Sequence, residues 1–404
     1  MNATIEPGKL RGSVAAPASK SHMHRLLIAA ALAEDPKDDF EETLILRPGD
    51  GEDVEATVRC LNALNCAVFR EEGGLRVISS TLWPLKAELD CGESGSTLRF
   101  LMPLCAAGVT DVTLTGRGRL PERPNGPLLS VLRAHGARIG GDFLPLSVRG
   151  GLRSGDFALP GNVSSQYFSG LLFVLPLLEG DSTLRCTSPL ESMPYVNLTL
   201  SVLRQFRIIV HPMEDGWKIP GNQRYSTPVT AEAEGDWSAA AFWLGANALG
   251  SQVAVNGLND ASCQGDRAIR EKLQQIGGEI DVTDTPDLMP ILSAVAAATP
   301  GKTTRITGAA RLRLKESDRL SAMAETIQAL GGDARETPDG LIIRGCSLRG
   351  GTVDGKNDHR IVMSAAVAAT VCREHVTILG AGAVSKSYPR FWADFQALGG
   401  SVHV

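Results

Sequence analysis

The sequence predicts a protein of the α/β class that is divided into two domains. A chain of 404 residues is longer than one hydrophobic core usually serves. Apolar residues make up 43% of the chain and charged residues 21%, which is typical of globular domains. A motif that joins the end of a helix to a strand also recurs along the chain, and it predicts how the helices and strands are organised.

The recurring motif is an apolar residue, a bulky residue three positions later and, in four of six copies, a glycine directly after. Apolar residues three apart lie on one helix face, and a left-handed glycine ends the helix before a strand begins. The copies begin at Leu61, Leu132, Leu203, Leu273, Ile327 and Phe395. Such junctions are common, but four of the five intervals are close to 70 residues. The spacing therefore predicts six α/β units, three in each domain.

The segment 223–236 is rich in small and polar residues and lies between the third and fourth copies of the motif. Domain boundaries usually fall in segments of this composition. We therefore predict that the chain crosses between its domains there.

Charge and cysteine content exclude several classes of protein. The net charge of -5 argues against a nucleic-acid binder, and the eight cysteines show no CxxC pair or zinc spacing, which is typical of a reduced compartment. The N-terminus does not resemble a signal peptide. The apolar run 170–178 ends at Glu179, short of the roughly 20 residues that span a bilayer. These observations predict a cytoplasmic protein without a membrane partner.

Two segments combine cations with the start of a helix. Lys20, Ser21 and Arg25 begin an apolar, alanine-rich stretch, and in the segment 91–99 small residues precede Arg99. A helix N-terminus offers backbone N–H groups to an anion, and a nearby cation strengthens that binding. Each segment alone is equally typical of a capped helix at the surface.

Further segments carry polar residues at similar positions. Ser164, Ser165 and Gln166 precede an apolar helix and suit either a polyhydroxylated ligand or simple capping. Two prolines stiffen the loop around Arg123. Lys315 and Arg319 are four residues apart, so that on a helix they share one face, which is also typical of a salt-bridged surface helix.

Taken together, in this order and at these spacings, the segments closely resemble the EPSP synthase family from one end of the chain to the other. The motifs that carry the resemblance are SKSxxxR at 19–25, GxSGSTxR at 92–99, PERP at 121–124, SSQ at 164–166, ESMPY at 191–195, TPD at 285–287, KESDR at 315–319, NDHR at 357–360 and SKSYP at 385–389.

The resemblance implies the two-domain enolpyruvyl transferase fold, in which each domain consists of three βαβαββ units and forms an inside-out α/β barrel. One domain would span residues 20–233, and the other residues 1–19 plus 234–404, with the chain crossing near Ser19 and near Glu234. The active site would lie in the cleft between the domains.

The resemblance also implies the reaction. The family transfers the enolpyruvyl group of phosphoenolpyruvate to the 5-hydroxyl of shikimate 3-phosphate, with release of phosphate, in the biosynthesis of chorismate and aromatic amino acids. The implied ligands of shikimate 3-phosphate are Lys20, Ser21, Arg25, Ser164, Ser165, Gln166, Ser192, Tyr195, Asp287 and Lys315. Those of phosphoenolpyruvate are Lys20, Gly95, Arg123, Gln166, Arg319, Arg360 and Lys386.

The chemistry needs a base for the attacking hydroxyl and an acid for the methylene carbon of phosphoenolpyruvate. Asp287 is the predicted base and Glu316 the predicted acid, with Lys20 close enough to share proton transfer. Positioning and electrostatics suffice for this reaction, so neither a metal nor an organic cofactor is expected. We expect a monomer.

Two positions depart from the family pattern. Glu93 and Arg311 stand where family members usually carry asparagine, and we expect Glu93 to point away from phosphoenolpyruvate or to pair with a nearby cation. The nearest alternative enzyme is UDP-N-acetylglucosamine 1-carboxyvinyltransferase, which typically carries a cysteine in a loop that here, at 115–124, contains none. A second alternative is a family member that binds anions without turnover, and Glu93 is the observation that favours it.

Overall fold

The computed structural model describes residues 1–34, 41–80 and 83–404. It forms two compact units. The continuous unit comprises Lys20–Ala233, and the split unit comprises Met1–Ser19 together with Glu234–Val404. The chain leaves the split unit after Ser19 and returns to it after Ala233.

Short strands alternate with helices in both units. The strands are β1 (Asn2–Ile5), β2 (Arg11–Ala15), β3 (Glu42–Leu46), β4 (Ala67–Glu71), β5 (Gly74–Ile78), β6 (Lys86–Asp90), β7 (Asp111–Thr115), β8 (Arg138–Gly140), β9 (Leu146–Arg149), β10 (Asp156–Leu159), β11 (Ser182–Cys186), β12 (His211–Met213), β13 (Gly216–Ile219), β14 (Thr230–Glu232), β15 (Gln252–Asn256), β16 (Glu279–Asp281), β17 (Thr303–Thr307), β18 (Asp333–Thr337), β19 (Gly340–Arg344), β20 (Gly351–Asp354), β21 (Val376–Leu379) and β22 (Val402–His403). The α-helices are α1 (Lys20–Ala31), α2 (Glu52–Ala63), α3 (Gly95–Ala107), α4 (Gly126–Ala134), α5 (Ser165–Val174), α6 (Met193–Gln205), α7 (Trp237–Ala248), α8 (Ile269–Lys272), α9 (Met289–Ala297), α10 (Arg319–Ala329), α11 (His359–Ala369) and α12 (Phe391–Ala397).

The strands of the continuous unit form three four-stranded sheets with one common pattern. Their strand orders are β14-β3-β5-β4, β6-β7-β9-β8 and β10-β11-β13-β12. In each sheet the first pair is parallel and the other two pairs are antiparallel. In the sheets that begin with β6 and β10 this pattern follows from the chain order βαβαββ, because a helix connects the parallel strands and a short turn connects the last two. In the third sheet the parallel partner of β3 is β14, from the end of the unit.

The split unit repeats this pattern twice and shortens it once. The sheets β16-β17-β19-β18 and β20-β21-β1-β22 have four strands, whereas β15 pairs in parallel with β2 alone. In residues 252–281, all of which the structure describes, the chain runs from β15 directly to β16, the first strand of the next sheet. The missing hairpin accounts for the one short interval in the sequence repeat, between Leu273 and Ile327.

All six copies of the motif end with a left-handed residue at the same position, four residues after the first. The φ angles are 68° at Asn65, 96° at Gly136, 65° at Arg207, 100° at Gly277, 84° at Gly331 and 85° at Gly399. Glycine adopts this conformation without strain, and asparagine tolerates it better than most residues. The two copies that lack glycine therefore form the same helix end as the other four.

Side chains on the last helical turn reinforce the junction. The Asn62 amide donates to the Val68 carbonyl at 3.2 Å and accepts the Val68 N–H at 2.7 Å. Gln328 and Gln396 donate in the same way to strand carbonyls six residues ahead. These bonds fix the angle between each helix and the strand that follows it.

Close packing of two helices places polar side chains at one end of the continuous unit. A Cβ atom added to Gly170 of α5 would lie 2.2 Å from the Arg99 carbonyl oxygen of α3, so only glycine permits this approach. The contact brings Arg99 of α3 within reach of Gln166 at the start of α5.

Candidate active site

In the continuous unit, the first helix begins at the predicted cation. Lys20 is the first residue of α1, and its Nζ atom lies 2.7 Å from Oδ2 of Asp53. Asp53 belongs to the first turn of α2. No pattern in the sequence distinguishes Asp53 from the other acidic residues, because its distance from Lys20 is set by the packing of two helices.

Arg25 is 2% exposed and is held by neutral groups. Its Nε donates to the Thr199 hydroxyl at 2.7 Å, and its terminal nitrogens donate to the carbonyl oxygens of Ser21 at 2.6 Å and Tyr195 at 2.8 Å. Burial lowers the pKa of Arg25 to about 9. A buried cation with neutral partners is poorly compensated, so an anionic ligand would stabilise it.

The segment 92–97, here called the anion loop, leads into α3 as predicted. The Ser94 hydroxyl caps the helix by accepting the Thr97 N–H at 3.2 Å. A Cβ atom added to Gly95 would lie 2.8 Å from both terminal nitrogens of Arg123. The first amides of α3 and the Arg123 guanidinium therefore lie side by side, as an anion site requires.

Gln166 is oriented by Arg99, the cation that the segment 91–99 offered as a candidate anion ligand. Arg99 donates from Nη1 to Gln166 Oε1 at 2.6 Å and from Nε to Asn125 Oδ1 at 3.1 Å. The Gln166 amide in turn donates to the Ser96 hydroxyl at 2.9 Å. Arg99 thus ties the start of α5 both to the anion loop and to the loop that carries Arg123.

The remaining predicted residues of this unit begin helices. Ser164 caps α5 by accepting the Gln166 N–H at 3.3 Å, and Ser165 is the first residue of that helix. Ser192 precedes α6 with a left-handed φ of 59°. The structure joins Ser21, Arg25 and Tyr195 by direct hydrogen bonds and places Gln166 against the anion loop.

The split unit contains a second buried arginine, which carboxylates surround. Arg319 is 1% exposed, with its nitrogens 2.8 Å from Asp358, 2.9 Å from Asp287 and 2.8 Å from Glu316. Burial alone would lower the pKa of Arg319, but the three carboxylates outweigh it and raise the pKa above its usual value. Arg319 therefore holds the predicted base and the predicted acid together.

Asp287 is held by two cations. Besides the Arg319 contact, its Oδ2 atom lies 2.7 Å from Nη2 of Arg360. Burial would raise the pKa of Asp287, but Arg360, Arg319 and Lys315 lower it far below its usual value. By contrast, burial and then the charge of Asp287 raise the pKa of Asp266, which accepts a hydrogen bond from the Ser238 hydroxyl, to about 7.

The prediction that Lys315 and Arg319 share a helix face is wrong. Lys315 has an extended backbone after the short 3-10 helix Ala310–Leu314, and α10 begins only at Arg319. The Asp318 side chain caps α10 by accepting the N–H groups of Leu320 at 3.1 Å and Ser321 at 3.2 Å. Because these amides bond to a side chain, no helical turn precedes them.

Asp358 connects two of the sequence motifs, although it was assigned no role. Its carboxylate caps α11 through the Arg360 N–H at 3.0 Å and accepts the Ser317 hydroxyl at 3.0 Å. Lys386, which is 4% exposed, donates to the Asn357 carbonyl at 2.6 Å. The predicted residues 315–319, 357–360 and 386 therefore form one cluster.

The two positions that depart from the family pattern have defined surroundings. The Glu93 carboxylate packs against the backbone of Gly118, since a Cβ atom there would lie 2.5 Å from Glu93 Oε2. Arg311 donates to the Thr283 carbonyl. The orientation of Glu93 relative to phosphoenolpyruvate stays a prediction.

Residues 1–34, 41–80 and 83–404 contain neither a metal-binding cluster nor a membrane-spanning helix. Within these ranges no group of three or more His, Cys, Asp or Glu side chains could hold a metal ion. No helix in the same ranges is both long and apolar enough to cross a membrane.

Comparison with known proteins identifies the family. The family model of EPSP synthase (3-phosphoshikimate 1-carboxyvinyltransferase) matches residues 5–286 and 278–395. The chain belongs to the EPSP synthase family. The 3-phosphoshikimate 1-carboxyvinyltransferases of Clostridium acetobutylicum and Clostridium kluyveri are 41% and 40% identical to it, over 99% of this chain and 97% of each relative.

The solved structures agree with this assignment. An EPSP synthase structure from Acinetobacter baumannii matches with a TM-score of 0.81 and 26% identity, covering 100% of both chains. The predicted family and the predicted fold class are therefore confirmed.

Proposed function

We propose that the two clusters described above carry out the reaction of the EPSP synthase family. As a member of that family, the chain is a transferase that joins the enolpyruvyl group of phosphoenolpyruvate to the 5-hydroxyl of shikimate 3-phosphate and releases phosphate. The observation that carries the proposal is the Arg319 cluster, which holds a strongly anionic carboxylate, Asp287, beside a second carboxylate, Glu316.

Shikimate 3-phosphate is proposed to bind to residues of both units: Lys20, Ser21, Arg25, Ser164, Ser165, Gln166, Ser192, Tyr195, Asp287 and Lys315. Arg25 is the strongest support, because its partners in the structure are neutral. A phosphate or carboxylate nearby would supply the negative charge that its surroundings lack. That the substrates lie in a cleft between the units stays a prediction.

Phosphoenolpyruvate is proposed to bind to Lys20, Gly95, Arg123, Gln166, Arg319, Arg360 and Lys386. The side-by-side arrangement of the Gly95 turn and Arg123 supports this assignment in one unit. Arg360 and Lys386, buried in the same cluster of the other unit, support it there. Several cations are needed because two phosphates and a carboxylate must share one site.

The proposed chemistry has two steps. In the first, the 5-hydroxyl oxygen attacks C2 of phosphoenolpyruvate, Asp287 accepts the hydroxyl proton, and Glu316 or Lys20 donates a proton to C3. In the second, the group that protonated C3 takes a proton back from C3, Asp287 gives its proton to the departing phosphate, and the double bond is restored. Each group thus acts as acid in one step and as base in the other.

The electrostatics of Asp287 make its basicity depend on substrate. With Arg319, Arg360 and Lys315 lowering its pKa, the carboxylate is a weak base. Substrate anions that bind Arg360 and Lys315 would offset part of this positive charge and raise the pKa of Asp287. The base would therefore gain strength only when the substrates are in place.

The test is phosphate release from phosphoenolpyruvate, with shikimate 3-phosphate or UDP-N-acetylglucosamine as the acceptor. We expect turnover with shikimate 3-phosphate alone. The variants Asp287→Ala and Glu316→Gln should lower kcat by at least about a hundredfold, as loss of an acid or base group does.

The matched control is Glu279→Gln, which changes an exposed acidic residue of β16 in the same unit and should leave kcat unchanged. Turnover with UDP-N-acetylglucosamine would assign the chain to the related transferase. If phosphate is released with neither acceptor, the result would favour a family member that binds anions without turnover. Monomeric state and cytoplasmic location remain predictions.

A further inference from the structure

A chain of buried side chains links the N-terminal halves of α1 and α2 to the first turn of α3 in the continuous unit. It consists of His24 of α1, Thr57 of α2, and Thr97 and Ser94 at the start of α3, and is called here the hydroxyl chain. Nδ1 of His24 lies 2.8 Å from the Thr57 hydroxyl, which lies 2.7 Å from the Thr97 hydroxyl. Thr97 and Ser94 are also 2.7 Å apart. All four residues are at most 1% exposed.

The acceptors around Thr97 favour one direction for the hydrogen bonds of this chain. The Thr97 hydroxyl donates to Ser94 Oγ, and its other acceptor is the Asp53 carbonyl at 3.4 Å, which can only accept. Because the single Thr97 proton serves these acceptors, we assign the bond between Thr57 and Thr97 to the Thr57 proton. Thr57 then has no proton left for His24, so Nδ1 of His24 must carry the proton and donate it.

The second nitrogen of His24 supports this assignment. In the part of the chain that the structure describes, Nε2 is buried and has no hydrogen-bond partner. A proton on Nε2 would be a buried donor without an acceptor, which is costly. Burial, followed by the charges of Lys20 and Arg25, also lowers the pKa of His24 well below its usual value, so the ring stays neutral.

We propose that His24 is a positioning residue for the anion loop, and that its neutral Nδ1–H tautomer donates the first bond of the hydroxyl chain that fixes Ser94. Ser94 accepts both the hydroxyl and the N–H of Thr97 and so sets the first turn of α3. Gly95, next to Ser94, is where the amides meet Arg123. The proposal rests on the proposed function in that this turn binds phosphoenolpyruvate.

The hydroxyl chain runs beside a second link between the same helices. Lys20, one turn before His24, pairs with Asp53, one turn before Thr57, at 2.7 Å. In this proposal His24 therefore helps to set the separation between α1, which carries Lys20, and the anion loop, which carries Gly95. It contacts no substrate in this proposal and acts through Ser94.

The first experiment reads the tautomer directly and does not depend on activity. In protein labelled with 15N-histidine, long-range 1H–15N spectra distinguish Nδ1–H, Nε2–H and doubly protonated rings among the seven histidines. The resonances lost in His24→Asn identify His24. We expect an Nδ1–H ring between pH 6 and pH 8. An Nε2–H or doubly protonated ring would overturn the proposal whatever the enzyme does.

The second experiment compares two variants in steady-state kinetics. In His24→Asn the amide nitrogen is attached to Cγ, as Nδ1 is, so the donor is kept, and the KM for phosphoenolpyruvate should stay within about threefold of wild type. In His24→Leu the donor is lost, and this KM should rise about tenfold, which corresponds to one buried hydrogen bond. The KM for shikimate 3-phosphate should change less than about twofold in both variants.

The matched control is His135→Leu. Nδ1 of His135 also donates a hydrogen bond, to the Val131 carbonyl at 2.8 Å, but this bond lies at the end of α4 and not in the hydroxyl chain. The His135→Leu variant should have the wild-type KM for phosphoenolpyruvate even if the melting temperature of the variant is lower. An unchanged KM in His24→Leu, or an equal rise in both variants, would refute the positioning role. If the wild-type protein shows no transfer, the proposed function fails instead, and the tautomer result still decides the direction of the hydroxyl chain.

Discussion

Two buried arginines, one in each unit, have opposite surroundings. Arg25 of the continuous unit is held by hydroxyl and carbonyl oxygens, and burial lowers its pKa to about 9. Arg319 of the split unit is held by Asp358, Asp287 and Glu316, which raise its pKa. Among the residues that the structure describes, Arg25 has only neutral hydrogen-bond partners, whereas Arg319 has three carboxylates around it.

The difference separates a binding role from an organising role. A buried charge with neutral partners gains when an anion arrives, so Arg25 suits a substrate ligand. A buried cation among three carboxylates fixes their positions, and removing it leaves these carboxylates in the interior without a counter-charge. If Arg319 binds phosphoenolpyruvate, as the family resemblance implies, it must do so while it continues to hold the acids.

The largest effect is expected on removing the organising arginine. Arg319→Met leaves the fully buried Asp358 without its cation, so the free energy of unfolding should fall by about 3–5 kcal/mol. Urea denaturation at pH 7 measures it. The control Arg313→Met removes a partly exposed arginine that pairs with Asp318 and Glu336, and should cost less than about 1 kcal/mol. If both variants lose the same free energy of unfolding, burial of the ion pairs does not determine their contribution to stability.

The next effect concerns Asp266, a buried acid of the split unit whose protonated form is favoured. Because the pKa of Asp266 is raised to about 7, folding favours its protonated form. Its contribution to stability is complete below the unfolded pKa of about 4 and is lost as the pH rises through about 7. Asp266→Asn should therefore be more stable than wild type at pH 8 by about 2–4 kcal/mol, from the size of that shift.

Thermal or urea unfolding of Asp266→Asn across pH 4 to 8 tests this sign. The advantage of the variant should shrink to less than about 0.5 kcal/mol at pH 4, where Asp266 is protonated in the folded protein and about half protonated in the unfolded chain. An advantage that grows on acidification would mean that Asp266 is an ionised, stabilising group like Asp287.

A smaller loss of stability is expected at the binding arginine. Arg25→Met leaves only neutral acceptors behind, so the free energy of unfolding should fall by about 1–2 kcal/mol. The KM for shikimate 3-phosphate should nevertheless rise at least about tenfold, because a charge-assisted bond is lost. A stability cost as large as that of Arg319→Met, measured under the same conditions, would contradict the distinction between the two arginines.

The smallest effect is expected at Glu93, a carboxylate at the anion loop of the continuous unit. Its side chain packs against Gly118. Glu93→Asn should therefore change the KM for phosphoenolpyruvate less than about threefold, as a partly solvated charge does. A fall of tenfold or more would show that the carboxylate acts on the bound anion.

Local rules predicted the helix starts well. Ser94 and Ser164 cap α3 and α5 where small polar residues precede apolar runs, because the bonding of a cap needs only the next few residues. The repeat was also found, since each helix end depends on one left-handed position. The same rules, applied to Asp318, place the start of α10 at Arg319. The prediction that Lys315 lies on the same helix did not take this cap into account.

By itself, the sequence determined the family, the fold class and the junction in which a helix ends and a strand begins. These depend on short motifs, on spacing and on backbone preferences that act within a few residues. Only the tertiary structure decided which charges meet. Asp53 beside Lys20, Asp358 beside Arg319 and Thr57 beside His24 are each more than 30 residues apart in the chain. Such pairs form because helices pack at fixed distances, and no local signal in the sequence records that packing.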